Sequence, residues 1–214
     1  ANTLKLRNPS NNTFGTSSVT IANEGTYSIS GSTIVFTPVT NFSGTATPVT
    51  YQVTDSMGQS VTTTYAEGLF FPDTYIFSVG TPDIEILQRA ARAQLLLIDQ
   101  VWGERQTGLP LKTPYEALIL ASIVEKETGK ASDRSRISGV FINRLRLNMP
   151  LQTDPTVIYG MGESYNGKIR KQDLQTDTPW NTYTRNGLPP SPIASVGKAA
   201  LQAALKPETH PYLY

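Results

Sequence analysis

Two glutamates, Glu125 and Glu127, close the stretch ILASIVEKETG, Ile119–Gly129, directly behind a run of almost wholly apolar residues. At helical spacing Glu125 shares a face with Leu118, Ala121 and Ser122, and Glu127 lies above Leu120, Ile123 and Val124. A carboxyl group held against such neighbours has its charged form disfavoured, so it can keep a proton near neutral pH and act as a general acid. The plain alternative is a solvated last helical turn. Ser122 and Lys126, four apart, have the spacing of a Ser-Lys nucleophile pair, a spacing that chance also supplies. The segment QTDPTVIYGMG, Gln152–Gly162, gathers Gln, Thr, Asp and Tyr, types suited to sugar hydroxyls or to a turn with an Asx cap. Trp180 and Tyr183 could stack on a ligand or pin their Pro-rich loop to the core.

The absences narrow the chemistry further. The 214 residues contain no cysteine and one histidine, His210. Cys-His sites, Ser-His-Asp triads and multi-histidine zinc centres cannot be assembled. Catalysis would fall to carboxylates, Lys, Tyr, Ser or Thr. Formal net charge is +1 without basic runs, which excludes the footprint of a nucleic-acid binder. No apolar run reaches the roughly 20 residues of a membrane span, and no signal-like N-terminus is present.

The elements that must position these groups change character near residue 66. Residues 1–66 carry four charged side chains, Lys5, Arg7, Glu24 and Asp55, against 24 Ser or Thr. Alternation of β-branched or aromatic with polar residues predicts antiparallel strands near 18–22, 26–30, 33–37, 48–54 and 59–65, with Asp55–Gly58 as a hairpin turn. After Glu67 the period becomes helical. One helix is predicted from a Thr81 cap with Pro82 at its first position through Trp102. A second runs from a Thr113 cap, with Glu116 completing a capping box, to a left-handed stop at Gly129. A third starts at Ser132 and breaks before Pro150, and a fourth covers about Ser195 to Leu205. The polar, Gly- and Pro-rich stretch from Pro150 to Pro192 reads as a long loop, of the kind that is functional or disordered.

From Glu67 onward the motifs EGLFFPDTY, LASIVEKET, VFINRL, MPLQTDPTVIYG, YNGKI, NTYTRNGLPPSPI and HPYLY occur in one order. In that order the chain resembles the YceG-like endolytic murein transglycosylases, the MltG family. The resemblance implies cleavage of the MurNAc-GlcNAc bond within glycan strands of peptidoglycan, leaving a 1,6-anhydro-MurNAc end, without metal or cofactor. It implies Glu125, the first Glu of VEKE, as the catalytic acid and base. It also implies a glycan groove lined by Gln152, Thr153, Asp154, Tyr159, Asn181 and Tyr183. An extracytoplasmic setting and possible partners among cell-wall synthesis proteins follow from the same likeness.

Family members usually carry a membrane anchor and a LysM-like region before EGLFFPDTY and continue past PYLY, so the resemblance implies a catalytic domain cut short at both ends. Residues 1–66 instead resemble part of a CshA-type fibril repeat, on VFTPVTNFSGTATPVTYQVTDSMGQSVTTTY. The expected architecture is therefore multidomain: an N-terminal all-β, sandwich-like module, 1–66, and a C-terminal α+β, helix-rich YceG-like catalytic domain, 67–214. Two rival readings stand beside it. One is a non-catalytic wall-binding or adhesive protein, and the other a hydrolytic muramidase pairing Glu125 with Asp154.

Overall fold

The computed structural model describes residues 3–31, 33–43, 46–54, 60–63 and 66–214. It divides into two compact units, Ala1–Ala66 and Glu67–Tyr214.

The first unit is built from two small antiparallel sheets. Strands β1 (Thr3–Arg7), β2 (Phe14–Thr16), β6 (Tyr51–Thr54) and β7 (Ser60–Thr63) pair in the order β2-β1-β6-β7. Strands β3 (Ser18–Ile21), β4 (Gly25–Ser30) and β5 (Thr33–Pro38) form the second sheet in sequence order. Leu6 and Val19 are its buried apolar residues among those described. On the second sheet the register sets Tyr27 opposite Phe36, whose rings lie 4.6 Å apart. Gly25 leaves room for that aromatic pair, since a Cβ there would meet Phe36 Cζ at 2.6 Å. Strands β1 and β2 stand outside the expected set, although Leu4–Arg7 alternates apolar with charged residues and the turn formers Asn8–Asn12 separate the two strands. β6 begins at Tyr51, three residues later than expected, and the expected turn at Asp55–Gly58 lies outside the described residues.

The second unit is helical: α1 (Asp83–Gly103), α2 (Pro114–Glu127), α3 (Arg134–Arg146), α4 (Asp154–Met161), α5 (Lys171–Gln175) and α6 (Lys198–Leu205). Helix α2 is buried on all sides from Ala117 to Val124, as an all-round apolar helix must be. It packs against α1, α3 and α6, and the small residues Ala200, Ala203 and Ala204 of α6 let the two helices approach closely. Its N-terminus follows expectation in part. Thr113 Oγ1 accepts from the Glu116 N–H at 3.1 Å, while the Glu116 carboxylate reaches back one residue further, to the Lys112 N–H.

Several boundaries differ from the sequence reading. Pro82, not Thr81, occupies the cap position of α1. Helix α2 ends on Thr128 in an extended conformation, and Gly129 is not left-handed. A 3₁₀ turn, Ala131–Asp133, precedes α3. Helix α6 starts at Lys198 because Ile193 and Val196 are drawn into the core as an irregular segment. The expected long loop holds α4 and α5, and Pro155 sits in the first turn of α4, where its missing N–H costs nothing.

Candidate active site

The C-terminal end of α2 sends its two glutamates to different places. Glu125 is partly buried. Its Oε1 accepts from Arg134 Nη2 of α3 at 3.2 Å, and its Oε2 accepts from the Gly197 N–H at the cap of α6 at 3.1 Å. Glu125 thus ties three helix ends together. Glu127 reaches a concavity of about 350 Å³, lined also by Phe141 and Arg144 of α3, Gln152, Thr153 and Tyr214. Its Oε2 accepts from Thr153 Oγ1 at 2.7 Å. Against the expectation that Glu125 shares a groove with Gln152, Asp154 or Tyr183, the glutamate beside Gln152 and Thr153 is Glu127, while Glu125 meets Arg134 and Gly197. Helical rotation explains the difference, since two residues along an α-helix turn the side chain by roughly 200°.

Gln152 lies at the rim in a left-handed conformation, φ 51°, and its Oε1 accepts from Arg144 Nη1 at 3.2 Å. Asp154 Oδ1 accepts from the Tyr183 hydroxyl at 2.6 Å. Burial first, then Asp154 and the nearby charge of Glu127, push the Tyr183 phenol up to about 12, so it remains a donor across any working pH. Gln152 thus lines the concavity beside Glu127, and Tyr183, bonded to Asp154, lies near enough to feel the Glu127 charge.

The other expected groove residues are structural or partly so. Asn181 is 1% exposed, and its amide donates to the carbonyls of Asp173, Leu174 and Thr176 while its Oδ1 accepts from the Tyr183 N–H. It pins the loop after α5 and presents no polar atom to a glycan. Tyr159 packs its ring 5.4 Å from that of Trp180, against the core, and Trp180 Nε1 donates to Ser191 Oγ at 2.9 Å. These aromatics anchor their loop. Thr153 is buried, and its hydroxyl donates to Glu127 at the wall of the concavity.

The Ser122-Lys126 pair does not form. Ser122 is fully buried, donates to the Ile119 carbonyl at 2.7 Å and accepts from the Ile193 N–H at 3.0 Å, whereas Lys126 is exposed. Among the described residues no cluster of His, Cys, Asp and Glu could hold a metal ion.

Arg144 is the site residue that sequence reasoning missed. Its buried guanidinium donates from Nε to the Leu213 carbonyl, and from Nη1 to the carbonyls of Pro150 and Leu151 as well as to Gln152. The signal was available, since Arg144 falls three residues after Phe141 on the buried face of α3. Thr156 and Thr182, both buried, were also missed.

The profile of the YceG-like family matches residues 6–214 and so begins within β1. An endolytic murein transglycosylase of Bacillus subtilis is 37% identical over 148 residues, 69% of this chain and 41% of the relative. The enzyme of that name from Streptococcus pneumoniae is 32% identical over 154 residues, 69% of this chain and 27% of its own length. The chain thus spans less than half the length of these curated relatives. A crystal structure of a YceG-like protein from Listeria monocytogenes aligns with a TM-score of 0.60 at 38% identity, over 69% of this chain and 47% of that one. The comparisons give the CshA-type likeness of residues 1–66 no support. With its profile matched over nearly its whole length, the chain belongs to the YceG-like family.

Proposed function

We propose that residues 67–214 form the catalytic domain of an endolytic murein transglycosylase, acting outside the cytoplasm on peptidoglycan, and that Glu127, in place of Glu125, is its acid and base. The names of the relatives support the substrate, and the position of Glu127 carries the assignment of the acid. It is the α2 carboxylate that opens into the concavity with Arg144 and Gln152, held through one oxygen by Thr153. Both oxygens of Glu125 are engaged, one by Arg134 and the other by the Gly197 N–H.

The reaction needs one carboxyl group. Glu127 gives its proton to the glycosidic oxygen as the C1–O bond of MurNAc breaks. The carboxylate then takes the proton of the same sugar's C6 hydroxyl as O6 closes on C1, and Glu127 ends protonated as it began. The wall of Phe141 and Leu151 beside the polar rim suits a pyranose, which has an apolar face and hydroxyl edges. The β-unit is read as a separate module, and a role for it in wall attachment or partner binding belongs to this same proposal.

Digestion of isolated murein sacculi in heavy-oxygen water tests the reading. Anhydro-ended, unlabelled products are expected, with Glu127→Gln lowering the rate by about 10²–10⁴-fold. A labelled reducing end would mean hydrolysis with Asp154 as the second carboxylate. Full activity of Glu127→Gln together with loss in Glu125→Gln would return the acid to Glu125.

A further inference from the structure

Thr153 stands at the cap position of α4, where a threonine side chain ordinarily accepts from an N–H of the first helical turn. It does not do so. Its Oγ1 donates to Glu127 Oε2 at 2.7 Å instead, although the side chain is almost wholly buried. The hydroxyl is aimed by two further buried threonines. Thr156 Oγ1 donates its only proton to the Thr153 carbonyl at 2.7 Å, so the 2.8 Å contact between Thr156 and Thr182 must be donated by Thr182. Thr182 Oγ1 in turn accepts from the Thr153 N–H at 3.1 Å, and the Thr182 carbonyl accepts from the Gln152 N–H at 3.0 Å. The backbone of Thr153 is thus bonded at both its N–H and its C=O to a closed ring of hydroxyls, and a β-branched χ1 leaves its Oγ1 little freedom.

We propose that Thr153 is a positioning residue for the reaction: its hydroxyl, fixed by the Thr156-Thr182 ring, holds Oε2 of Glu127 and so reserves Oε1 for proton transfer to and from the glycan. The proposal rests on Glu127 being the acid, as argued above. Among the described residues no hydrogen bond to Oε1 is found, and Glu127 lines the concavity. The charged and titratable groups around Glu127 are Glu125 and Lys126 on α2, Arg144 on α3, Asp154 on α4, Tyr183 on the loop beyond α5, and Tyr214. None of these is altered by changing Thr153.

A hydroxyl that only fixes the carboxylate acts on the chemical step and leaves glycan binding alone. The experiment measures kcat and KM on soluble glycan strands for the unaltered chain and for Thr153→Val, Thr153→Ala, Thr153→Ser and Glu127→Gln. Both hydroxyl-free variants are expected to lose about 10-fold in kcat with KM nearly unchanged. Serine should restore kcat. Thr153→Ala guards against a folding failure of the valine variant. A loss that falls on KM instead of kcat, or a serine variant as impaired as valine, overturns the positioning role while leaving the function standing provided Glu127→Gln is inactive. An active Glu127→Gln overturns both.

Discussion

Glu125 and Glu127 are two residues apart and answer to different neighbours, and their glutamine variants should separate accordingly. Glu125→Gln removes the charge that meets Arg134, in a pair whose side chains are 27% and 16% exposed. Between an exposed and a buried ion pair, the expected cost is roughly 1–2 kcal/mol of stability, measured by urea denaturation, with turnover largely kept. Tyr183 offers a second residue-level measurement. Its folded value of about 12, raised first by burial and then by the Asp154 contact, lies above the ordinary 10.0, so the protonated phenol adds stability below pH 10 that is lost as pH rises through 12. A phenolate absorbance titration of the unaltered chain minus that of Tyr183→Phe should therefore show a component rising near 12; one rising near 10 would mean that Tyr183 is neither buried nor bonded to Asp154 in solution. At this scale the types of residue were legible in the sequence, and their directions were not. Glu-Lys-Glu marked the end of α2 as the place for an acid, but which glutamate meets the groove depends on where α3 and α4 pack. Asn181 looked like a sugar ligand and is consumed by three backbone carbonyls, a use that no local pattern announces.

Helices are legible in the sequence wherever a side-chain cap or an apolar stripe announces them, and less so where tertiary packing sets the end. Thr113 caps α2 as its type suggests, whereas α6 loses its expected first residues to the core through Ile193 and Val196. Helix α4 was hidden inside an apparent loop because its eight residues are too few to show a period. Helix α3 supports the C-terminal segment through a notch at Gly139, where a Cβ would meet His210 Nε2 at 2.6 Å and the Glu208 carbonyl. His210 Nε2 lies 2.8 Å from the Arg136 carbonyl there, and Asn143 Nδ2 donates to the carbonyls of His210 and Tyr212. Gly139→Ala should push residues 208–210 off α3 and cost about 1–3 kcal/mol. Lower thermal stability with faster amide exchange at Glu208, whose N–H donates to the Ser135 carbonyl at 2.9 Å, is the expected result. Unchanged exchange would mean that the segment is held elsewhere.

The whole chain shows its division in composition as well as in contacts: the charge-poor, hydroxyl-rich stretch ends where the first compact unit ends, at Ala66. Limited proteolysis is expected to cut between residues 63 and 82 and to release a helical fragment that melts cooperatively by itself. Loss of cooperative melting on cleavage would make the two units one folding unit. What no reading of composition could supply is the joint function of Arg144. One guanidinium grips Leu213 on one side and Pro150, Leu151 and Gln152 on the other. The tail and the groove wall therefore share a single fastening. Removing that guanidinium would loosen the tail at Leu213 and the groove wall at Pro150–Gln152 in a single step.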